Sequence, residues 1–186
     1  GPYRRITSMV NGPRMVQVAY SGGAVSQTTI ALGTTKYVYA ADYLSERYEA
    51  FGKPEERKFV TVRDTNYRTT SYEVQAKSGA SYVAKQRQTF GYNSRGQLIT
   101  ANSIDPTTSV ARAVSLSYCE QTDVDAGSCP LVGQLKTVNG ARTDVADITT
   151  YSYYLSDAAG CVPGVSPCSH RKGDLWKITN ALGQVT

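Results

Sequence analysis

A seven-residue register, Gly-x-Leu-x-x-apolar-Asn/Thr, occurs three times in this chain. The copies are Gly96-Gln97-Leu98-Ile99-Thr100-Ala101-Asn102, Gly133-Gln134-Leu135-Lys136-Thr137-Val138-Asn139 and Gly173-Asp174-Leu175-Trp176-Lys177-Ile178-Thr179. Gly183-Gln184-Val185 reads as the opening of another. The glycines of the three copies lie roughly 40 residues apart, a period typical of arrays that stack one supersecondary unit on the next. Such a unit buries its apolar face only against its neighbours, so the register constrains architecture far more than chemistry.

The intervals between copies have a common order. Val110 to Tyr118 alternates apolar and polar residues, a loop bracketed by Cys119 and Cys129 follows, and then comes the Gly133 copy, with Asn139-Gly140 as a turn signal. Asp147 to Leu155 is the next alternating run, followed by a loop bracketed by Cys161 and Cys168 and by the Gly173 copy. The spacing inside each copy resists a flat strand. Leu175 and Ile178 are three apart and would face opposite ways. Either both sheet faces are covered, or a bulge opens at the glycine.

Upstream, Phe59–Arg63, Thr69–Gln75 and Tyr82–Phe90 predict strands joined by turns at Asp64-Thr65-Asn66 and Lys77-Ser78-Gly79. Met15–Tyr20 predicts a strand ending at Ser21-Gly22-Gly23, and Thr28–Leu32 with Thr35–Tyr39 predicts a hairpin about Gly33-Thr34. Ala40–Ala50 has helix-forming composition, with Tyr43, Leu44, Arg47 and Tyr48 on one helical face; a strand over Arg47–Phe51 is the competing reading. Fourteen tyrosines against three phenylalanines suit half-buried sheet faces, where the ring packs and the hydroxyl finds a partner. The predicted class is all-β, built of tandem antiparallel hairpins. Residues 1–2 read as a protease scar, 3–89 as an N-terminal strand region, and 90–186 as repeats with cysteine-bracketed loops.

The net charge of +5 is concentrated in the first hundred residues, where Lys and Arg outnumber Asp and Glu two to one. These cations are scattered among apolar neighbours, which reads as solvated strand faces rather than a nucleic-acid footprint. No apolar run reaches the roughly 20 residues that a membrane-spanning helix needs. The four cysteines permit three pairings. Loops rich in Gly, Pro, Ser and Asp between Cys119 and Cys129, and between Cys161 and Cys168, favour local disulfides and an oxidising compartment. Zinc is the competing reading, at spacings wide for a zinc knuckle, and free thiols are expected if the chain works in a reducing compartment.

Phe90-Gly91-Tyr92-Asn93-Ser94-Arg95-Gly96-Gln97-Leu98 resembles the core of the RHS/YD-repeat family, roughly Tyr-Asp-x-x-Gly-Arg-Leu, with Asn93 in place of the aspartate and Gln97 in place of the arginine. Tyr92, Gly96, Leu98, Gly133, Leu135, Gly173, Leu175 and Gly183 are the positions that carry the resemblance. It implies hairpins wound into a spiralling sheet that forms a hollow shell, enclosing a toxic C-terminal segment in bacterial members and serving cell-surface adhesion in animal relatives. The expected partners are neighbouring repeats and an enclosed cargo segment, with self-association through open sheet edges. The expected location is secreted or at the cell surface. The family's self-cleaving aspartate site has no copy here; Ile104-Asp105-Pro106 lacks the glycine of that element.

No enzyme constellation stands out, and neither a cofactor nor a metal is expected. His170, the one histidine, sits in a Gly/Pro/Cys loop beside Arg171 and Lys172, which reads as a surface residue rather than a base. Asp144 and Asp147 flank a turn rather than face one another as a glycosidase pair. Asp123-Val124-Asp125-Ala126-Gly127 lacks the remaining ligands of a helical calcium loop. Glu55-Glu56-Arg57-Lys58 reads as a solvated charge cluster. The alternative to a shell segment is an extracellular β-rich module that recognises glycan or protein through exposed aromatics.

Overall fold

The computed structural model describes residues 8–11, 14–21, 24–30, 33–40, 43–161 and 168–186. It is all-β: thirteen strands lie in one sheet in chain order. They are β1 (Ser8–Asn11), β2 (Arg14–Ser21), β3 (Ala24–Ile30), β4 (Gly33–Ala40), β5 (Tyr43–Glu49), β6 (Arg57–Arg63), β7 (Thr69–Ser78), β8 (Ser81–Tyr92), β9 (Leu98–Ile104), β10 (Ala111–Tyr118), β11 (Leu135–Asn139), β12 (Ile148–Tyr153) and β13 (Leu175–Thr179). A five-residue helix, α1 (Gln121–Asp125), lies between β10 and β11. The chain forms two compact units. One holds the residues up to Phe90 with Ser103–Ala111, the other Gly91–Asn102 with Arg112–Thr186.

A bulge recurs at one place in the hairpins of both units. In the first, Ala19 pairs Gln27 and Tyr20 pairs Val25, leaving Ser26 unopposed. Ser45 is skipped in the same way between Leu44 and Glu46, and Thr70 between Thr69 and Ser71. In the second, Lys136 is skipped between Leu135 and Thr137, and Trp176 between Leu175 and Lys177. Each bulge lies near the start of the second strand of a hairpin. It adds one residue without advancing the ladder. Leu175 and Ile178 therefore oppose Tyr153 and Tyr151, two positions apart and on one face. The three-residue spacing is a bulged strand, with the extra residue just after the leucine rather than at the glycine.

The same device overturns the helix reading of Ala40–Ala50. Leu44 opposes Tyr39 and Arg47 opposes Tyr37, so a bulge at Ser45 puts residues three apart on one face and imitates helical spacing. The competing strand reading is right in kind, but the strand starts earlier, at Tyr43. Gly33-Thr34 is not a turn: Gly33 pairs with Ile30 inside the ladder. Asn139-Gly140 does not make a tight turn either. Asn139 pairs with Ile148, and the Gly140 amide donates to the Asp147 carbonyl across a longer loop. Helix α1 answers to no periodic signal in the sequence. The expected turn at Gly22-Gly23 and the Gly1-Pro2 start lie outside the described residues.

Side-chain burial is shallow. Among the described residues the buried apolar side chains are those of Cys119, Cys129 and Pro130, while Val62, Val83, Leu175 and Trp176 are exposed. The strands make their main contacts with their sequence neighbours, as in a repeat array.

Candidate functional site

In the second unit, one backbone frame closes successive turns at the ends of the strands. At Asn93–Gln97 the Asn93 amide donates to the Gln97 carbonyl at 3.0 Å, and the Gly96 amide donates to the Asn93 carbonyl at 2.9 Å. At Asn180–Gln184 the equivalent bonds are 3.0 and 2.9 Å. Gly96 and Gly183 have φ of 80° and 78°, the left-handed region that glycine enters without a Cβ clash. The Asn93 side-chain oxygen accepts from the Arg95 and Gln97 amides, and that of Asn180 from the Leu182 and Gln184 amides. Each asparagine then donates its amide to the following glutamine side chain.

Both cysteine loops are inserted into this same frame. The Cys119 amide donates to the Gln134 carbonyl and the Gly133 amide to the Cys119 carbonyl, each at 2.8 Å. The Tyr154 amide donates to the Asp174 carbonyl and the Gly173 amide to the Tyr154 carbonyl, each at 2.9 Å. Gly133 and Gly173 again have positive φ, 88° and 94°. Cys119 and Tyr154 thus stand where Asn93 and Asn180 stand, with the residue before each belonging to the preceding strand. Tyr92, Tyr118 and Tyr153 share that preceding position.

The recurring residues join one frame to the next. Gln97 Nε2 donates to the Gly133 carbonyl and Gln134 Nε2 to the Gly173 carbonyl, each at 2.7 Å. Tyr118 Oη donates to the Leu98 carbonyl at 2.8 Å, and Tyr153 Oη to the Leu135 carbonyl at 2.7 Å. The Gly-x-Leu register therefore combines a left-handed glycine whose carbonyl is an acceptor, a glutamine donor and a leucine whose carbonyl takes the tyrosine hydroxyl. Asp174 replaces the glutamine in the third copy, and its carboxylate caps its own loop by accepting the Arg171 amide at 2.7 Å.

The cysteines pair locally, Cys119 with Cys129 and Cys161 with Cys168, and the zinc and free-thiol readings fall because the sulfurs are bonded to one another. Two disulfides accord with an oxidising environment. In the first loop, Asp123 accepts the Glu120 amide at 2.9 Å and Lys136 Nζ at 2.6 Å, and these bonds hold its carboxyl below the usual range. That occupancy, together with α1, replaces the calcium-loop hint, and among the described residues no metal-ligating cluster is present. Beside the second loop, His170 stacks on Tyr154 with ring centroids 3.7 Å apart, Trp176 lies 6.3 Å from Tyr154, and Lys177 Nζ sits 4.4 Å from the Trp176 ring centroid. Asp144 receives Arg142 at 2.7 Å. The Asp105 carboxylate accepts the Thr107 amide within its own turn.

In the first unit the notable group is Glu56, which the sequence reads as solvated but which is only 2% exposed. Its carboxylate accepts the Gly52 amide at 2.8 Å, Lys77 Nζ at 3.2 Å and the Tyr82 hydroxyl. Burial raises its pKa, but these bonds outweigh burial and hold it below the ordinary value. The same bond pushes the Tyr82 hydroxyl up to about 12. Local sequence carries no sign of this, since the partners come from the adjoining bend and the β7–β8 hairpin. Nearby, Lys58 pairs with Glu46 at 2.7 Å and lies 5.5 Å from the Tyr48 ring centroid, so not every strand cation is solvated. The turn at Asp64–Arg68 repeats the frame of the second unit with a charged pair. Its backbone bonds are both 3.0 Å, and Arg68 donates to the Asp64 carboxylate at 2.8 Å.

No protein-family model matches this chain, and no curated protein matches it.

Proposed function

We propose that the chain is a non-catalytic wall segment of the RHS/YD-repeat type, secreted or at the cell surface, that helps to enclose a cargo segment. The observation that carries this reading is the repeated frame in which Gln97, Gln134, Tyr118 and Tyr153 each bond a main-chain carbonyl of a neighbouring repeat. Such a bond can be propagated without limit, because every residue offers a carbonyl. The split frames, Tyr118-Cys119 with Gly133-Gln134-Leu135 and Tyr153-Tyr154 with Gly173-Asp174-Leu175, support the reading further, since they align with Tyr92-Asn93 and Gly96-Gln97-Leu98 once the loops are set aside. Shallow burial also supports it, because a wall is completed by what covers its faces. Electron microscopy of the protein in its full-length natural form is the test. Hollow closed particles are expected, and a solid compact domain would overturn the proposal.

A second reading, a binding module, is favoured by one feature: the Tyr154, His170 and Trp176 cluster, in which Trp176 is 56% exposed. Aromatic faces of this kind stack on sugar rings or apolar side chains. A glycan array probed with the chain and with Trp176→Ala separates the readings. Hits lost in the variant favour the module.

A further inference from the structure

The two disulfides occupy different places in the same frame. Cys119 is itself a frame residue: its amide and carbonyl make the two closing bonds, and its side chain is fully buried, with Cys129 5% exposed. Cys161 and Cys168 lie inside the second insertion, whose frame is closed by Tyr154, Gly173 and Asp174. Both are only partly buried. Local charge does not separate them: Arg95 and Lys136 pair with Glu120 and Asp123 of the first loop, and the Asp157 and Asp174 carboxylates accept the Lys172 and Arg171 amides of the second. Exchange with an external thiol needs access to a sulfur, which a fully buried bond denies and a partly buried one allows.

We propose that Cys161–Cys168 is a thiol-exchange site that opens independently of the repeat frame, while Cys119–Cys129 is a sealed structural bond. The co-reactant is a small thiol reductant. Its thiolate attacks Cys161 Sγ, forming a mixed disulfide, and Cys168 leaves as the thiolate. A second reductant thiolate attacks the reductant's own sulfur in that mixed disulfide. The reductant is released as its oxidised disulfide and Cys161 as a thiol. Two electrons pass from two thiols to the protein disulfide. A chain carried from an oxidising to a reducing compartment would thus lose the Cys161–Cys168 bond and keep its sheet.

The test exposes the intact chain to graded concentrations of reduced glutathione, alkylates it, and reads each cysteine by peptide mass spectrometry alongside amide hydrogen exchange. Cys161 and Cys168 are expected to label at reductant concentrations about tenfold lower than Cys119 and Cys129. Amides of β12 and β13 are expected to keep their protection at that point. Labelling of all four cysteines together, or of Cys119 and Cys129 first, overturns the proposal. Cys161→Ser/Cys168→Ser supplies the second arm. Native protection of β12 and β13 in that variant supports frame independence, and its loss refutes it.

Discussion

In the unit built on the first strands, the ties that matter are side chains meeting other side chains: Glu56 with Lys77 and Tyr82, Glu46 with Lys58, Glu73 with Arg87. In the unit that carries the cysteine loops, the ties run from side chains to main-chain carbonyls, from Gln97, Gln134, Tyr118 and Tyr153. Both units use the same bulged hairpin. They differ in what must be present at both ends of a bond. A side-chain pair needs two matched residues, often far apart in sequence. A carbonyl tie needs one. The first arrangement is charge-dependent and tuned to its site, and the second can be copied from unit to unit.

The largest expected effect comes from breaking the buried group of the first unit. Glu56→Ala leaves the Lys77 ammonium uncompensated and the Gly52 amide and Tyr82 hydroxyl without their acceptor. The freed Lys77 ammonium is 30% exposed and can hydrate, so the cost comes mainly from the unpaired Gly52 amide and Tyr82 hydroxyl, about 1–3 kcal/mol for each. Hydrogen exchange of the β5, β6 and β7 amides is expected to rise steeply, while that of β11–β13 serves as the internal reference. Equal acceleration in both units would show that the contrast between them is not energetic.

Acid sharpens the contrast next. The folded pKa of Glu56 is lowered, so its stabilisation is fully present above the unfolded carboxyl value and is lost as pH falls through the lower folded value. Glu46 and Glu73 are also lowered: burial raises each, but bonds from Lys58 and Tyr48, and from Gln75 and Arg87, outweigh it. Acidification below the ordinary carboxylate range is therefore expected to loosen the first unit before the carbonyl ties, in which no group changes protonation in acid. Glu56→Gln should flatten part of that profile. An unchanged profile would assign the acid response elsewhere.

Tyr153→Phe removes one hydroxyl from the second unit and leaves the Leu135 carbonyl without that donor. The expected cost is about 1 kcal/mol, and Tyr118→Phe should match it because the geometry is the same. Urea unfolding followed by exchange at β11 and β13 measures both. A cost for one and none for the other would mean that the repeats are alike in shape only.

This difference also explains what the sequence discloses. A glycine, a glutamine and a leucine at fixed offsets are visible because each serves the same main-chain tie in successive copies. Strand order and local cysteine pairing are legible for the same reason: their determinants are close in sequence. Glu56 is hidden because its acceptor role depends on Tyr82 and Lys77, contributed by a later hairpin. The bulges are legible in part: the three-residue spacing of Leu175 and Ile178 raises a bulge as one of two readings, though at the glycine, while in Tyr43–Glu49 the same spacing looks helical. The equivalence of Cys119 and Tyr154 to Asn93 is hidden by the lengths inserted after them.

The smallest effect, and the finest test, concerns the turn shared by the two units. Asp64–Arg68 and Asn93–Gln97 close the same frame with different pairs, one ionic and one neutral. The carboxylate or amide oxygen takes the same backbone amides in both: Asn66 and Arg68 in one, Arg95 and Gln97 in the other. The pair is then the exchangeable unit, not the residue. Asn93→Asp with Gln97→Arg should unfold at the same urea concentration as the parent, because arginine pairs with aspartate and still offers a donor toward Gly133. Gln97→Ala alone removes both the donor to Gly133 and the partner of Asn93, at an expected cost of about 1 kcal/mol. Gln97→Arg alone keeps the donor but sets a guanidinium against the Asn93 amide group, so it should fall between the two. A double variant less stable than Gln97→Ala would mean that the neutral pair is required by its surroundings. The two units would then share a backbone frame but not a rule for closing it.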